Sequence, residues 1–210
     1  MPLKKFGYYK IYKPYGMLSQ FTDTYGRTTL KNLFDIPENV YPVGRLDADS
    51  EGLLILTDDK SLTDLLLNPA YKHKREYYAQ VEGIPNKKDL EILMKGLLIK
   101  GRKTFPAIAE IISDPLLPVR DPPIRFRKNV PVSWLKIILT EGKNRQVRRM
   151  TAVIGYPTLR LIRVRIENLF LKNMIPGEVR KLSDGEIEEL NKIKMAVKQL
   201  PPKKYKINLS

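Results

Sequence analysis

The sequence predicts an α+β fold, with a mixed or mainly antiparallel sheet at its core and helices that flank the sheet. Strand-length runs outnumber helical patterns, and the two do not alternate regularly, which disfavours a doubly wound parallel sheet. Apolar residues make up 42% of the 210 residues, so the chain can bury a core despite its formal net charge of +15. The length fits one large domain or two small lobes that share a core.

Each element is predicted from its hydrophobic period and from the turn residues that bound it. A short helix carrying Leu62, Leu65 and Leu66 begins after Asp58 or Ser61, either of which is a suitable N-cap, and ends at Asn68-Pro69. Helical spacing also predicts a helical turn over 29–34 and helices over 86–97, 145–154 and 184–197. Alternating or continuous apolar runs predict strands over 8–12, 52–57, 75–82, 107–112, 132–140 and 158–166.

The segment 115–131 contains five prolines among cations, which predicts an ordered surface loop or insertion. This loop is also the predicted boundary between two lobes. Towards its end the chain becomes lysine-rich, so residues 1–195 are predicted to form the folded domain and residues 196–210 a basic tail. For the tail, a disordered segment and an RNA contact are both open interpretations.

Composition excludes several classes of chemistry. The chain has no cysteine and one histidine, which excludes disulfides, thiolate metal sites, cysteine nucleophiles and clustered histidine ligands. Catalysis would therefore use carboxylates, hydroxyls, tyrosines or cations. No apolar run approaches the roughly 18 residues of a membrane span, and the N-terminus lacks the apolar core of a signal peptide. We therefore expect a cytoplasmic protein with no membrane partner.

The charge points to a polyanionic partner. The sequence pI is about 9.8, and positive charge beyond what solubility needs usually reflects phosphate neutralisation. A basic but otherwise ordinary protein is the alternative. The cations recur in local groups, several of them next to the motifs described below, which favours a nucleic-acid partner.

One motif carries an acidic cluster immediately before the predicted strand 52–57. Arg45, Asp47, Asp49 and Glu51 place three carboxylates and one cation within seven residues. Their spacing also matches a calcium-binding EF-hand loop, but proline and glycine precede the cluster and a strand follows it, where that loop needs two helices. Two interpretations remain: a solvated turn, or a carboxylate that works in a basic cleft and is kept ionised by nearby cations.

A second motif places cations at the start of a predicted helix. Arg145, Arg148 and Arg149 lie at i, i+3 and i+4 and so share one face. A helix N-terminus already carries a partial positive charge, so cations there are unfavourable unless an anion is bound. The motif is either a solvated basic face or a site for a phosphate or carboxylate.

Together, the two segments resemble the paired signature motifs of the pseudouridine synthases that modify ribosomal RNA, in the RsuA branch. The motifs are GRLDADSEGL at 44–53 and EGKNRQVRRM at 141–150, and two long motifs in the right order are far more specific than a short one. Only seven residues precede the first matching strand, so the S4 RNA-binding domain of many relatives is expected to be absent, as in the E type of this branch. Further segments similar to this E type, which modifies RNA of the large ribosomal subunit, lie at 13–16, 20–23, 122–125, 133–136 and 157–163.

The resemblance implies the pseudouridine synthase fold, with a central RNA-binding cleft between two lobes, and isomerisation of uridine without metal or organic cofactor. Asp47 occupies the position of the family's nucleophile, and Arg148 that of the arginine which pairs with it. Tyr77 corresponds to the tyrosine that stacks on the base, and Leu161 to the apolar residue that lines the uracil pocket. Without the resemblance, Tyr77 is an ordinary strand aromatic and Leu161 a core leucine.

Reaching the ribose of a paired uridine requires the nucleotide to leave its stack, at a cost of a few kcal/mol. Cations that bind flanking phosphates can offset this cost. The predicted contacts are Arg45, Lys143, Arg145, Arg163 and the cations of the proline-rich loop.

The expected partner is 23S rRNA or a large-subunit assembly intermediate, modified by a monomer that needs no protein partner. One alternative is a pseudouridine synthase acting on 16S rRNA or tRNA. The other is a non-catalytic RNA-binding assembly factor, in which Asp47 would be a turn residue. An acid placed among phosphate-binding cations favours an enzyme over a binder.

Overall fold

The computed structural model describes residues 6–124 and 130–198. Within these ranges the chain forms four α-helices, one nine-stranded sheet and one two-stranded sheet. The helices are α1 (Lys60–Leu67), α2 (Lys87–Met94), α3 (Gln146–Val153) and α4 (Asp184–Lys198). The strands are β1 (Tyr8–Lys13), β2 (Tyr41–Pro42), β3 (Glu51–Thr57), β4 (Arg75–Glu82), β5 (Leu98–Ile99), β6 (Arg102–Lys103), β7 (Ile108–Ile112), β8 (Val132–Leu139), β9 (Thr158–Ile166), β10 (Leu169–Phe170) and β11 (Val179–Lys181).

The predicted mixed, mainly antiparallel sheet is confirmed. The strand order is β11-β1-β3-β9-β4-β8-β7, with β2 added to β3 and β10 to β9. Only the β3–β9 pair in this sheet is parallel among the described strands. Every residue of β3 is buried, as expected for a strand covered on both faces.

Alternate residues of β3 pack into different parts of the core. Leu53 and Ile55 join the cluster that includes leucines of α1 and α4, while Leu54 and Leu56 pack with residues near the N-terminus such as Leu30. A third cluster, around β4, β8, α2 and α3, contains Tyr77. All three clusters contain residues of this one sheet, so a single sheet supports the loops at its edges.

The N-cap predicted for α1 is wrong by one residue. Asp59, rather than Asp58 or Ser61, caps the helix, and its carboxylate accepts from the N–H groups of Ser61 (3.0 Å) and Leu62 (3.2 Å). An N-cap side chain must reach the second and third helical amides. Asp58 lies one residue too early for this, and Ser61 is already inside the helix.

The predicted lobe boundary lies in the proline-rich loop, which connects two strands of the same sheet, and the division into two lobes stays a prediction. Strands β7 and β8 flank this segment and pair with each other from Ile108↔Ile138 to Ile112↔Trp134. The loop therefore leaves and rejoins the same sheet, as an insertion does. Its residues 125–129 lie outside the described ranges.

At the C-terminus, α4 extends to Lys198, three residues into the predicted tail. The rest of that tail lies outside the described residues. None of the helices described is both long and apolar enough to cross a bilayer.

Candidate active site

A pocket of about 750 Å³ lies where the loop before β3 meets the middle of β4 and β9 and the start of α3. Backbone pairing brings these parts together, because Tyr77 pairs with Arg163, and Arg163 pairs with Gly52. Arg148 lies beside the pocket, where it contacts Asp49. The other seven predicted site residues line it: Arg45, Asp47, Tyr77, Lys143, Arg145, Leu161 and Arg163.

Residues 44–50 form the Asp47 loop, which buried polar groups of the turn after β1 hold in place. Ser19 Oγ accepts from the Leu46 N–H (3.0 Å) and donates to the Leu46 carbonyl (2.8 Å). The fully buried Lys13 donates to two carbonyls of its own turn at 2.8 Å and approaches the Ala48 carbonyl at 3.5 Å. Burial lowers the pKa of Lys13 to about 8. Through Lys13, residues 13–16 (KPYG) therefore help to hold the Asp47 loop in its position.

Gly52 allows β3 and β9 to approach closely. Its φ is +108°, and a Cβ at this position would lie 2.3 Å from the carbonyl oxygen of Arg163. Any side chain would therefore collide with the backbone of β9 and would also adopt a strained conformation. Gly52 fixes the separation between the Asp47 loop and the pocket wall on β9.

The three carboxylates of the acidic cluster take three different directions. Asp47 lines the pocket with 35% of its side chain exposed, and Asp49 faces two arginines. Glu51 is buried and forms a bidentate pair with Arg160 at 2.8 and 2.7 Å. No three carboxylate or imidazole groups meet as metal ligands do in the part of the chain that the structure describes.

Two arginines of the second motif, Arg145 and Arg148, pair mainly with Asp49. Arg145 binds Asp49 bidentately, at 2.9 and 2.7 Å, and reaches Asp47 only at 3.9 Å. Arg148 Nε lies 3.3 Å from Asp49 Oδ2, and its other nitrogens donate to the backbone carbonyls of Asp49 and Thr158. The predicted Arg148–Asp47 ion pair is not present in this structure, and the guanidinium group of Arg148 contacts Asp49 and Thr158 instead.

This arrangement affects ionisation at the rim of the pocket. Burial opposes the charge on Asp49, but the hydrogen bonds from Arg145 and the charge of Arg148 outweigh it, so the pKa of Asp49 is lowered. Burial lowers the pKa of Arg148, an effect that Asp49 partly offsets. Arg145 and Arg148 thus bind Asp49 as an ionised carboxylate, while the carboxylate of Asp47 lines the pocket.

Tyr77 and Leu161 form an apolar part of the wall. They are 8% and 5% exposed, they pack in one cluster with Leu46, and both line the pocket. The structure brings an aromatic ring, an aliphatic side chain and the Asp47 carboxylate to one cavity. A cavity of this kind suits a planar base attached to a sugar.

Two guanidinium groups, one buried and one half-buried, also line the pocket. Arg163 is 4% exposed, donates to the Leu53 carbonyl (2.8 Å), and has an Nη2 without a partner among the described residues. Arg75, which sequence reasoning missed, donates to the Leu66 carbonyl (2.6 Å), and burial lowers its pKa. Arg163 is enclosed in the pocket wall, and its predicted contact with a flanking phosphate stays a prediction.

With this geometry in view, residues 7–153 match the model of a protein family described as RNA pseudouridylate synthase. The chain belongs to this family. It is accordingly an RNA pseudouridine synthase, an isomerase, and the resemblance seen in the two motifs is confirmed.

Curated relatives agree with this assignment. Ribosomal large subunit pseudouridine synthase E of Vibrio vulnificus is 50% identical over 171 residues, which cover 81% of this chain and 73% of that protein. The synthase E of Xanthomonas campestris is also 50% identical over 171 residues, covering 80% and 91%. Ribosomal large subunit pseudouridine synthase B of Bacillus subtilis is 36% identical over 184 residues, covering 87% and 70%.

A solved structure confirms the fold. The crystal structure of a pseudouridylate synthase superposes with a TM-score of 0.73 at 26% sequence identity, over 90% of this chain and 76% of that one. The predicted pseudouridine synthase fold is therefore correct.

Glu141 is a further site residue of this pseudouridine synthase that sequence reasoning left without a role. It is 4% exposed, and its Oε1 accepts from the Phe105 N–H (2.8 Å) and from Gln146 Nε2 (2.6 Å). Its Oε2 lies 3.0 Å from Lys143 Nζ. The signal in the sequence is a single carboxylate at the end of an apolar strand, inside an otherwise basic motif.

Proposed function

We propose that this protein converts a uridine of 23S rRNA to pseudouridine, with Asp47 as the nucleophile. The supporting observation is the position of the Asp47 carboxylate in one pocket with Tyr77 and Leu161, beside arginines that are occupied by Asp49. The choice of RNA follows the large-subunit synthases that are 50% identical to this chain.

The reaction is balanced without any added reagent. The C1′–N1 bond breaks, the uracil turns within the pocket, a C1′–C5 bond forms, and the proton of C5 is lost while N1 gains one. Asp47 assists the first step by covalent attack at the ribose or by another covalent route through the base. In this proposal Tyr77, which lines the pocket, holds the base against the wall, and its phenol helps to remove the C5 proton.

Arg148 acts in this scheme as a positioning residue. It ties the backbone and side chain of Asp49 to the carbonyl of Thr158 at the start of β9. Since Asp49 is two residues from Asp47, this tie orients the nucleophile relative to Leu161 on the same strand. Precise orientation of this kind supplies a large part of enzymatic rate enhancement.

The test is pseudouridine mapping on unmodified 23S rRNA with the wild type and the Asp47→Ala and Asp47→Asn variants. Asp35→Ala is the matched control, because Asp35 is exposed and does not line the pocket. We expect one modified uridine with the wild type and the control, and none with either Asp47 variant. Full activity of Asp47→Ala would remove Asp47 from the mechanism.

Parallel reactions with 16S rRNA, tRNA and a large-subunit assembly intermediate determine the substrate. Modification of 16S rRNA or tRNA alone would replace the 23S assignment, and RNA binding without any pseudouridine would favour the assembly-factor alternative. We further propose that the enzyme acts in the cytoplasm as a monomer. Light scattering on the complex with 23S rRNA fragments checks the stoichiometry.

A further inference from the structure

Phe105 is an exposed aromatic residue held at the rim of the pocket. Its side chain is 40% exposed, and its N–H donates to Glu141 at 2.8 Å. Single exposed aromatics are common on proteins. Phe105 differs because its backbone is fixed by a buried carboxylate and because two cations flank its ring.

Those cations are Lys72 and Lys143, whose Nζ atoms lie 5.9 and 6.0 Å from the centre of the Phe105 ring. These distances are at the outer limit of cation–π contact, so the ammonium groups flank the ring rather than cover it closely. Both lysines are exposed. Lys143 also lines the pocket, as does Pro69, three residues before Lys72.

Glu141 connects Phe105 to the second motif, residues 141–150. One carboxylate holds the Phe105 backbone, the Lys143 ammonium and the Gln146 amide. Gln146 in turn accepts from the Lys143 N–H at 3.0 Å. The ring and one of its cations therefore have a fixed position relative to α3 and to the pocket.

An exposed ring between two cations has the chemistry that single-stranded nucleic acid recognises. Bases stack on aromatic side chains regardless of sequence, and lysines bind the adjoining phosphates. We infer that Phe105, Lys72 and Lys143 bind a nucleotide that flanks the target uridine, with its base on the Phe105 ring and its phosphates on the two lysines. This inference rests on the proposed function, since it assumes an RNA substrate.

The chemistry of the Phe105 ring determines which bases this stacking site prefers. The ring offers no hydrogen-bonding group to a base edge, so discrimination depends on stacking area. A purine is expected to bind more tightly than a pyrimidine, and an abasic residue most weakly. Because Lys143 lines the pocket, the stacked nucleotide lies within one or two positions of the flipped uridine.

The first experiment measures RNA affinity by fluorescence anisotropy for the wild type and for Phe105→Ala, Phe105→Tyr and Phe170→Ala. Phe170 is the matched control, since it is 49% exposed, has Arg165 at 5.7 Å from its ring centre, and does not line the pocket. The probe is the 23S rRNA fragment that the wild type modifies. We expect Phe105→Ala to raise Kd roughly 5- to 100-fold, Phe105→Tyr to restore wild-type affinity, and Phe170→Ala to change little.

Abasic probes separate stacking from a general loss of structure. An abasic residue at the stacked position should weaken binding to the wild type, and Phe105→Ala should then cause no further loss. Salt titration adds an independent measurement, because the slope of log K against log[salt] counts phosphate contacts made by cations. Lys72→Gln should lower this slope by about 0.7, and Phe105→Ala should leave it unchanged. Equal losses for Phe105→Ala and Phe170→Ala, or a Phe105→Ala deficit that persists with every abasic probe, would overturn the inference.

The stacking site and the proposed function fail in different ways. If no 23S rRNA fragment is modified, the function fails, and a seven-residue oligouridine replaces the fragment as probe. On that probe a larger loss for Phe105→Ala than for Phe170→Ala still supports stacking, and equal losses overturn it. If mapping succeeds but Phe105→Ala binds like the wild type, only the stacking site is lost.

Discussion

Asp47 and Asp49 show how two residues close together in a loop can take opposite roles. Both are acidic and about one-third exposed, yet Asp49 binds Arg145 and Arg148 while Asp47 lines the pocket. Motif position singled out Asp47, which lines the pocket, and its role as nucleophile stays a prediction. Motif position did not predict which carboxylate the arginines bind, because side-chain direction in a loop follows from backbone dihedral angles that no hydrophobic period encodes.

The first prediction concerns Arg148. Replacing it with Met keeps most of its volume but removes the ties to Asp49 and Thr158. We expect the single-turnover rate of pseudouridine formation to fall by about 100-fold, the loss associated with a nucleophile misplaced by about 1 Å. RNA affinity should change less than about twofold, since the nitrogens of Arg148 face Asp49 and Thr158 instead of phosphate.

Rapid-quench kinetics with the enzyme in saturating excess over RNA, together with anisotropy measurements of Kd, check this prediction. Arg148→Lys tests whether charge alone is sufficient, and we expect it to rescue poorly because a lysine cannot bridge a carboxylate and two carbonyls. A variant with weakened RNA binding and a normal rate for bound RNA would show that Arg148 contacts phosphate instead.

At the scale of secondary structure, long periodic segments were predictable and short ones were not. The predicted six strands and main helices are confirmed, whereas β2, β5, β6, β10 and β11 span only two or three residues, too few to show a period. For the proline-rich loop, composition indicated a break in regular structure but not that the flanking strands β7 and β8 pair with each other. Pairing is a long-range property of the sheet.

Asp59 connects several of these elements. It caps α1, accepts from Tyr8 of β1 at 2.8 Å, and pairs with Lys194 of α4 at 2.7 Å. Burial opposes its ionisation, but the hydrogen bonds from Lys194, Ser61 and Tyr8 outweigh burial and hold the pKa of Asp59 well below its usual value. This carboxylate is one of several polar links between α4 and the rest of the molecule, together with the Lys10–Glu186 pair.

The second prediction follows from the sign of this shift. A carboxyl group whose pKa is lower in the folded state stabilises the fold above its unfolded pKa of about 3.9, and that contribution is lost as the pH falls below this value. Asp59→Asn retains a good N-cap but loses the ion pair, so we expect it to be less stable than the wild type by about 2 kcal/mol at pH 7. The difference should shrink progressively between about pH 4 and pH 2.

Urea unfolding of both proteins at pH 7, 5, 4 and 3 checks this dependence. Asp64→Asn is the control, because Asp64 is exposed on the same helix. A stability difference between Asp59→Asn and the wild type that is constant from pH 7 to pH 3 would contradict the assigned role of the charge.

At the scale of the whole molecule, the net charge of +15 is not uniformly available to RNA. Arg160 is buried against Glu51, Arg163 is enclosed in the pocket, and Arg145 is held by Asp49. Composition counts these cations with the rest, and only the fold distinguishes a cation that is committed internally from one that faces solvent. The number of cations that can reach a phosphate backbone is therefore smaller than the 38 lysines and arginines of the sequence.

The third prediction compares three cations by the salt dependence of RNA binding. Arg45 is exposed at the pocket, and its one described side-chain contact is a 3.5 Å hydrogen bond to Gln20. Arg145 lies nearby but already satisfies Asp49, and Lys192 on α4 is paired with Glu188 and Glu189.

Each phosphate contact on single-stranded RNA contributes about 0.7 to the slope of log K against log[salt]. Arg45→Gln should therefore lower the slope by about 0.7, while Lys192→Gln should leave it unchanged. Arg145→Gln should also leave the slope nearly unchanged but reduce turnover, because it frees Asp49 beside the nucleophile instead of removing a phosphate contact. If Arg145→Gln lowered the slope as much as Arg45→Gln, Arg145 would bind a phosphate in the complex. Arg145 would then have to leave Asp49 when RNA binds, and the Arg145–Asp49 pair would belong to the unbound protein alone.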